Sequence, residues 1–312
     1  MPGRTVVNNF IAVGLFLVMA VGWPVRAAEI TVLKSAVLPP YSSALAGFSE
    51  VIAREVPSRG QKAIQAHTIT TLVLSDAASQ VELRQRIVDA RPDLLVAIGS
   101  SSLSLLKDIP DIPIVYLMVP FPEAVAEKSD HITGISMNIS AARQLEALTL
   151  AAPTVKNIGL LYDPERTGSL VEDARDYAAR NHLHLIAQPV RGTDEVAGQL
   201  SALKGRIDWL WMVPDLTVLT PQSVDYLMLF SLENRVPIFT FAKKYLEMGA
   251  LLSVSVDPHD LGRQAGEMAG KILHGGGTDS LPPPEGPRQV RLESNSEAAG
   301  LLGIKLRVPE GE

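Results

Sequence analysis

From Glu29 onward, short apolar segments that fit β-strands alternate with longer segments whose apolar residues recur at helical spacing. The clearest example is Leu94–Ile98, an unbroken apolar run that ends at Gly99 and is followed by three serines and a helical pattern. A run of this length indicates a strand buried on both faces. Because right-handed crossovers place helices on both faces of a sheet, the alternation predicts an α/β fold with parallel sheets.

The strand–helix units form two consecutive blocks, residues 29–131 and 135–248. Between them, the prolines of Val119–Pro122 interrupt regular structure. The remaining C-terminal part is too short for a third domain, so its elements are expected to complete the first two sheets. Within this scheme the pattern predicts a strand at Ile64–Ile69 and a proline-rich linker at Leu281–Pro287. We therefore expect two similar lobes with a cleft and a hinge between them.

The first 27 residues have the features of a secretory signal peptide. Arg4 supplies a basic charge, Phe10–Val21 is an apolar core, and Val25-Arg-Ala27 fits a cleavage site, with cleavage after Ala27 or Ala28. The core is too short for a comfortable bilayer span, although an uncleaved anchor is the alternative. The chain has no cysteine, which excludes disulfides and a lipoprotein-type leader. These features predict a periplasmic protein.

Several functional classes are disfavoured by the sequence. The net charge is −6, without a basic cluster, which argues against nucleic acid or a membrane surface as a partner. There is no dinucleotide or Walker motif. Ser104–Lys107 matches S-x-x-K but lacks the partner motifs of that enzyme class. His182 and His184 would share a strand face without a third metal ligand nearby. We predict no catalytic residue, metal or cofactor, and hence no enzyme.

Polar residues that follow predicted strands are candidates for ligand contact, because open α/β sheets bind ligands at the carboxyl ends of their strands. Gly99, Ser100 and Ser101 follow the central strand, where hydroxyls and free backbone N–H groups could hold the anionic end of a small ligand. Alternatively, one serine only caps the next helix. Asp215 also follows an apolar strand, and its carboxylate could receive a ligand ammonium or act as a helix N-cap.

Four aromatic residues also fall at strand ends, namely Tyr41, Phe121, Tyr162 and Phe241. Aromatic residues make up only 5% of the chain, so their positions are informative. They would either form a stacking wall or pack beneath the cleft. With the hydroxyls and carboxylates nearby, they indicate a binding cleft for a small polar or zwitterionic molecule.

A series of short motifs runs through nearly the whole mature chain in the order of one known family. They are Pro92–Ser100, Ile112–Tyr116, Ile132–Ser136, Lys156–Tyr162, Val213–Asp215, Val236–Phe239, Gly249–Ala250, Gly262–Gly266 and Gly303–Ile304. Through them the chain resembles the ABC-transporter substrate-binding proteins of the type that includes tryptophan- and tyrosine-binding members. The resemblance implies a type I periplasmic-binding-protein fold: α/β, with two doubly wound parallel-sheet lobes joined by a hinge, as in a Venus flytrap.

The resemblance also implies lobe boundaries and site roles. After a signal peptide at 1–27, the N-terminal lobe would comprise 28–132 plus 259–274, and the C-terminal lobe 133–255 plus 288–312. The turn Gly99–Ser101 is similar to the family's Gly-Thr turn, which contacts a ligand carboxylate, and Asp215 matches the acidic position that faces the amine. Val119–Glu123 departs from the family, which usually has an Asp-Pro-Val-like turn there.

Together these features predict a monomeric exported solute-binding protein. It would capture an amino acid or similar small carboxylate between its lobes and deliver it to an ABC permease. The alternative is a ligand-sensing receptor of the same fold, coupled to a membrane sensor kinase or chemoreceptor. An adjacent permease gene or kinase gene would distinguish the two.

Overall fold

The structure is a computed structural model that describes residues 27–54, 67–127, 129–275 and 281–307. The predicted signal peptide lies outside these residues except for Ala27. The first sheet has five parallel strands in the order β2-β1-β3-β4-β5. They are β1 (Glu29–Lys34), β2 (Thr68–Val73), β3 (Leu94–Ile98), β4 (Ile114–Val119) and β5 (Ile132–Ser136). The helices between them are α1 (Pro39–Arg54), α2 (Gln80–Ala90), α3 (Ser100–Leu106) and α4 (Pro122–Val125).

The second sheet has six strands in the order β11-β10-β9-β8-β6-β7, and only the edge strand β11 is antiparallel to its neighbour. The strands are β6 (Asn157–Tyr162), β7 (His184–Pro189), β8 (Trp209–Trp211), β9 (Ile238–Thr240), β10 (Leu252–Val256) and β11 (Val290–Ser294). The helices are α5 (Ala141–Ala151), α6 (Pro164–Arg180), α7 (Val196–Ser201), α8 (Pro221–Asn234), α9 (Lys244–Glu247), α10 (Pro258–Gly275) and α11 (Ser296–Leu302). Two mostly parallel sheets with alternating helices confirm the predicted α/β fold class.

The strands predicted from the sequence agree best with the observed strands in the centre of a sheet and worst at its edge. All five residues of β3 are buried, between β1 and β4. The predicted strand at Ile64–Ile69 overlaps β2 only at its end, and residues 64–66 lie outside the described residues. β2 is a threonine-rich edge strand with partly exposed residues, and β-branched residues form such strands without a continuous apolar run.

Helix α10 packs on the first sheet although it follows β10 of the second. It contacts α1, β4 and β5. The contact with α1 is so close that a Cβ at Gly47 would collide with the His259 carbonyl, and one at Gly262 with the Ala44 carbonyl. The end of the predicted N-terminal lobe at residue 132 falls at the first residue of β5, which is wholly part of the first sheet.

The chain passes between the sheets after β5, after β10, and again through residues 281–289 before β11. The predicted linker Leu281–Pro287 is held against β5: Glu285 bridges to Ile135, and the Thr133 hydroxyl donates to the Pro282 carbonyl at 2.6 Å. No helix among the described residues is both long and apolar enough to cross a membrane.

A charged clamp fixes the end of this third crossing. The Arg288 guanidinium binds Asp260 at 2.8 Å and Glu267 at 2.9 Å, both on α10. Arg143 of α5 donates to the carbonyls of Pro287 and Arg288. The crossing is therefore bonded to a helix on each side of the hinge.

Candidate functional site

A cleft of about 800 Å³ lies between the two sheets. On the first-sheet side it is lined by Pro40, which begins the α1 region, and by residues of the β4–α4 turn. On the second-sheet side the lining comes from the first half of α6, from residues after β8 and β9, and from β11. The segment 137–141, which joins the sheets, also lines it. The cleft thus has the position expected for a ligand site in this architecture.

The β4–α4 turn gives the first-sheet wall an unusual backbone. Met118 and Phe121 have positive φ angles of 56° and 48°, although neither is glycine. The register between β4 and β5 shifts between Tyr116 and Val119, so the strand ends irregularly beside the cleft. The Phe121 N–H makes a long hydrogen bond of 3.5 Å to Asn138 Oδ1. Strained non-glycine backbone of this kind is concentrated at ligand and active sites.

Two of the eight residues predicted for the site, Phe121 and Phe241, line this cleft. They stand on opposite sheets, Phe121 before α4 and Phe241 after β9. Phe241 packs edge-to-face on Tyr245, with ring centroids 5.5 Å apart. Both phenylalanines are half-buried and so present ring surface to the cleft. They supply one aromatic surface on each side of it.

Gly99, Ser100, Ser101 and Tyr41 form a neighbouring group at the end of β3, outside the residues that line the cleft. Gly99 has φ 96°, and a Cβ there would lie 2.6 Å from the Tyr41 hydroxyl. No side chain caps the start of α3; instead the Ser102 N–H donates to Ser35 Oγ at 2.9 Å. Neither serine therefore acts as the helix cap. Burial raises the pKa of Tyr41.

Tyr162 is buried at the end of β6 among the core residues and does not line the cleft. Its hydroxyl interacts with Arg175 of α6 and raises the pKa of that guanidinium further. In the described conformation Tyr162 is therefore part of the core and not of the cleft wall.

Asp215 is 1% exposed, and both carboxylate oxygens accept hydrogen bonds from protein groups. Oδ2 accepts from the Asp163 N–H at 2.7 Å and the Thr167 hydroxyl at 2.6 Å. Oδ1 accepts from the N–H groups of Thr217 and Val218 at 2.9 and 3.2 Å. The carboxylate therefore organises the turn after β8. It is also not the N-cap of α8, because Thr220 occupies that position.

Arg166 lines the cleft but is not among the residues predicted from the sequence. Its Nε donates to Thr217 Oγ1 at 3.1 Å and lies 3.6 Å from Asp163 Oδ2. The Thr217 hydroxyl donates to Asp163 Oδ2 at 2.6 Å, and Asp163 Oδ1 caps α6 by accepting from the Glu165 N–H. These two bonds, helped by the Arg166 charge, lower the pKa of Asp163. Arg166 lies one helical turn beyond Asp163, within α6 and not at the end of a strand.

Two ion pairs of the second-sheet wall also involve residues that are not among those predicted for the site. Lys243 binds Glu293 at 2.8 Å, and Arg291 binds Asp257 at 3.0 Å. Arg291 and Glu293 lie on β11, whose position beside β10 could not be deduced from its late place in the chain. No group of three possible metal ligands occurs in the part of the chain that the structure describes.

Aromatic surfaces, charged side chains and an open inter-sheet cleft define a two-lobed protein that binds a small molecule. The sequence model for ABC transporter substrate binding protein matches residues 59–307, and the chain belongs to that family. This confirms the resemblance drawn from the motifs and places the chain among solute-binding proteins rather than enzymes.

Individual relatives agree with this assignment. The chain is 26% identical over 217 residues to a tyrosine-binding protein of Clostridioides difficile (strain R20291), an alignment that covers 67% of this chain and 62% of that protein. A substrate-binding protein with adhesive properties from Clostridium difficile, in its ligand-free, open structure, superposes with a TM-score of 0.72 at 25% identity, covering 92% of this chain and 97% of the other. An ABC domain in complex with L-Trp from Streptococcus pneumonia superposes with a TM-score of 0.57 at 24% identity, covering 91% of this chain and 97% of the other.

Proposed function

We propose that this chain is an exported solute-binding protein that captures a small ligand, an amino acid or similar small carboxylate, and delivers it to an ABC permease. The observation that carries the proposal is the cleft of about 800 Å³ lined by both sheets. A volume of this order suits a small molecule enclosed by two lobes. Phe121 and Phe241 offer aromatic surface from opposite sides, which favours an aromatic side chain. The tyrosine-binding relative and the L-Trp complex point to the same ligand class.

The proposed mechanism is closure of the lobes around the ligand. The lobes would be residues 28–132 plus 259–274 and 133–255 plus 288–312, with the first boundary moved to the end of β5 at Ser136, because β5 pairs with β4 in the first sheet. The packing of α10 on α1 and the pairing of β11 with β10 support the rest of this division. A ligand that contacts both lobes stabilises the closed state by its greater affinity for it.

In this proposal the first lobe contributes two sets of contacts. Phe121 lies in the cleft already, and the group of Tyr41 and Gly99–Ser101 lies beside the lining residue Pro40. The second lobe contributes Phe241 and the charged side chains around it. Asp215 and Tyr162 act from within the second lobe, by holding its turns and its core.

We also propose that the chain is secreted to the periplasm by its leader at 1–27 and acts there as a monomer. Support comes from the apolar core and cleavage-site residues of the leader, which lies outside the described residues. The absence of cysteine is consistent with a leader that is not of the lipoprotein type.

A thermal-shift screen of the purified exported protein tests the ligand class. The panel contains amino acids, purines and sugars, followed by calorimetry of any hit. We expect aromatic amino acids to stabilise the protein, since a ligand at about 100 times its Kd adds roughly 2.7 kcal/mol to the free energy of unfolding.

Phe241→Ala should reduce that shift, whereas Leu229→Ala, on the exposed side of α8, should not. A response to sugars or purines alone would overturn the ligand class. No response to any compound would count against solute binding itself.

A further inference from the structure

Three cationic side chains line the second-sheet wall of the cleft: Arg166, Lys243 and Arg291. The Lys243 ammonium is bound to Glu293, and a terminal nitrogen of Arg291 is bound to Asp257. Arg166 differs, because its hydrogen bond and its ion-pair contact both involve Nε alone. Among the described residues, no acceptor binds its two terminal nitrogens. Arg166 therefore brings an unused pair of donors to the cleft.

The Arg166 side chain is held from behind. Thr217 Oγ1 accepts from Nε at 3.1 Å and, through its own proton, donates to Asp163 Oδ2 at 2.6 Å. Asp163 is in turn fixed as the cap of α6, and its N–H is bound by Asp215. Three consecutive hydrogen-bonded groups thus position one guanidinium. A guanidinium held by Nε presents its terminal nitrogens as a planar fork, which matches the two oxygens of a carboxylate.

We infer that Arg166 binds the carboxylate of the ligand and is the specificity-determining residue for an anionic group. This inference rests on the proposed function and adds a residue to it. It assigns the carboxylate to the second lobe, whereas the sequence pattern had suggested the Gly99–Ser101 turn of the first.

The remaining charges of the lining fit a zwitterionic ligand. Glu123 and Asp173 line the same cleft, and neither is part of an ion pair within the described chain. Glu123 comes from the first lobe and Asp173 from α6, the helix that carries Arg166. Asp215 is occupied by four protein donors, and Glu293, the third carboxylate of the lining, is bound to Lys243. An ammonium group of the ligand therefore has Glu123 and Asp173 as its unpaired acidic neighbours in the cleft.

Calorimetric titration with matched pairs of compounds tests the inference. The probes are L-tyrosine and L-tryptophan, together with tyramine and tryptamine, which lack only the carboxylate. The variants are Arg166→Gln and Arg166→Lys. The control is Arg180→Gln, at the exposed end of the same helix and outside the cleft. Thermal melting of each variant without ligand verifies folding.

We expect Arg166→Gln to weaken binding of the two amino acids by about 10- to 150-fold, the range for a charge-assisted hydrogen bond. Arg166→Lys should lose less, because it keeps the charge but not the fork. Affinity for the two amines should change by less than about 3-fold, and Arg180→Gln should leave all four affinities unchanged.

Each other outcome is decisive. An equal loss for amino acids and amines would show that Arg166 acts on lobe closure or structure, and would overturn the inference. Unchanged affinity in both Arg166 variants, or parent protein that binds amines as tightly as amino acids, would overturn it while leaving solute binding intact. Parent protein that binds none of the four probes would refute the proposed ligand class and the inference with it.

Discussion

Replacement of Asp215 by alanine should destabilise the second lobe strongly. The substitution removes a carboxylate that is 1% exposed and accepts four hydrogen bonds, three from backbone N–H groups and one from the Thr167 hydroxyl. Each buried donor left without an acceptor costs about 1–3 kcal/mol. Because water and local relaxation recover part of this, we expect a total loss of about 3–5 kcal/mol, near the upper limit for single substitutions.

Asp215→Asn is the matched control variant. Its carbonyl oxygen can still accept two of the four bonds, but its NH2 group faces donors and cannot accept. We therefore expect a loss of about half that of alanine. Equilibrium urea unfolding measures both losses as shifts of the midpoint at constant m-value. Thr167→Val, which removes only the hydroxyl bond, should cost about 1 kcal/mol.

The same variants decide between a structural role and a ligand-binding role for this carboxylate. With a structural role, the urea midpoint falls in both variants, and folded Asp215→Asn binds ligand within about 3-fold of the parent. A variant with an unchanged urea midpoint and abolished binding would refute our interpretation of the four hydrogen bonds. It would restore the carboxylate to direct contact with the ligand amine.

Two further substitutions test local features. Gly99→Ala should cost about 1–3 kcal/mol, because alanine is strained at φ 96° and its Cβ would lie 2.6 Å from the Tyr41 hydroxyl and 2.7 Å from Ser35 Oγ. Adding Tyr41→Phe should recover part of this loss in urea unfolding, and no recovery would show that the clash with the Tyr41 hydroxyl does not contribute to the loss. The pKa of Asp163 is lowered mainly by the Thr217 hydroxyl, so its stabilising contribution is present above its ordinary pKa of 3.8 and is lost as pH falls through the folded value. Asp163→Asn should therefore lose less stability than the parent protein in urea unfolding as the pH falls below 3.8. If stability falls equally with pH in both proteins, this assignment is contradicted.

The sequence was sufficient for features that depend on local pattern. The buried run of β3, the aromatic residues Phe121 and Phe241 at strand ends, and the break at the β4–α4 turn are all where the pattern indicated. Each is set by residues adjacent in the chain, through burial on both faces of a strand or through proline.

Features that depend on distant partners could not be deduced in this way. Whether the Asp215 carboxylate is free to bind a ligand or already accepts protein hydrogen bonds depends on Asp163 and Thr167, which lie 52 and 48 residues away. The availability of Arg166 depends on Thr217, 51 residues away. The sequence places edge strand β2 too early, at Ile64–Ile69, because the threonines of β2 lack the apolar run that a central strand requires.

The placement of α10 has a consequence for how the chain matures. The core residue Phe48 of α1 is covered by a helix that is synthesised only after most of the second lobe. In the same way, β10 receives its partner β11 only from the last part of the chain. Neither lobe can be finished from its own early segment, and such distant pairing slows folding. A nascent chain ordered like this cannot complete either lobe until its last segments have been synthesised.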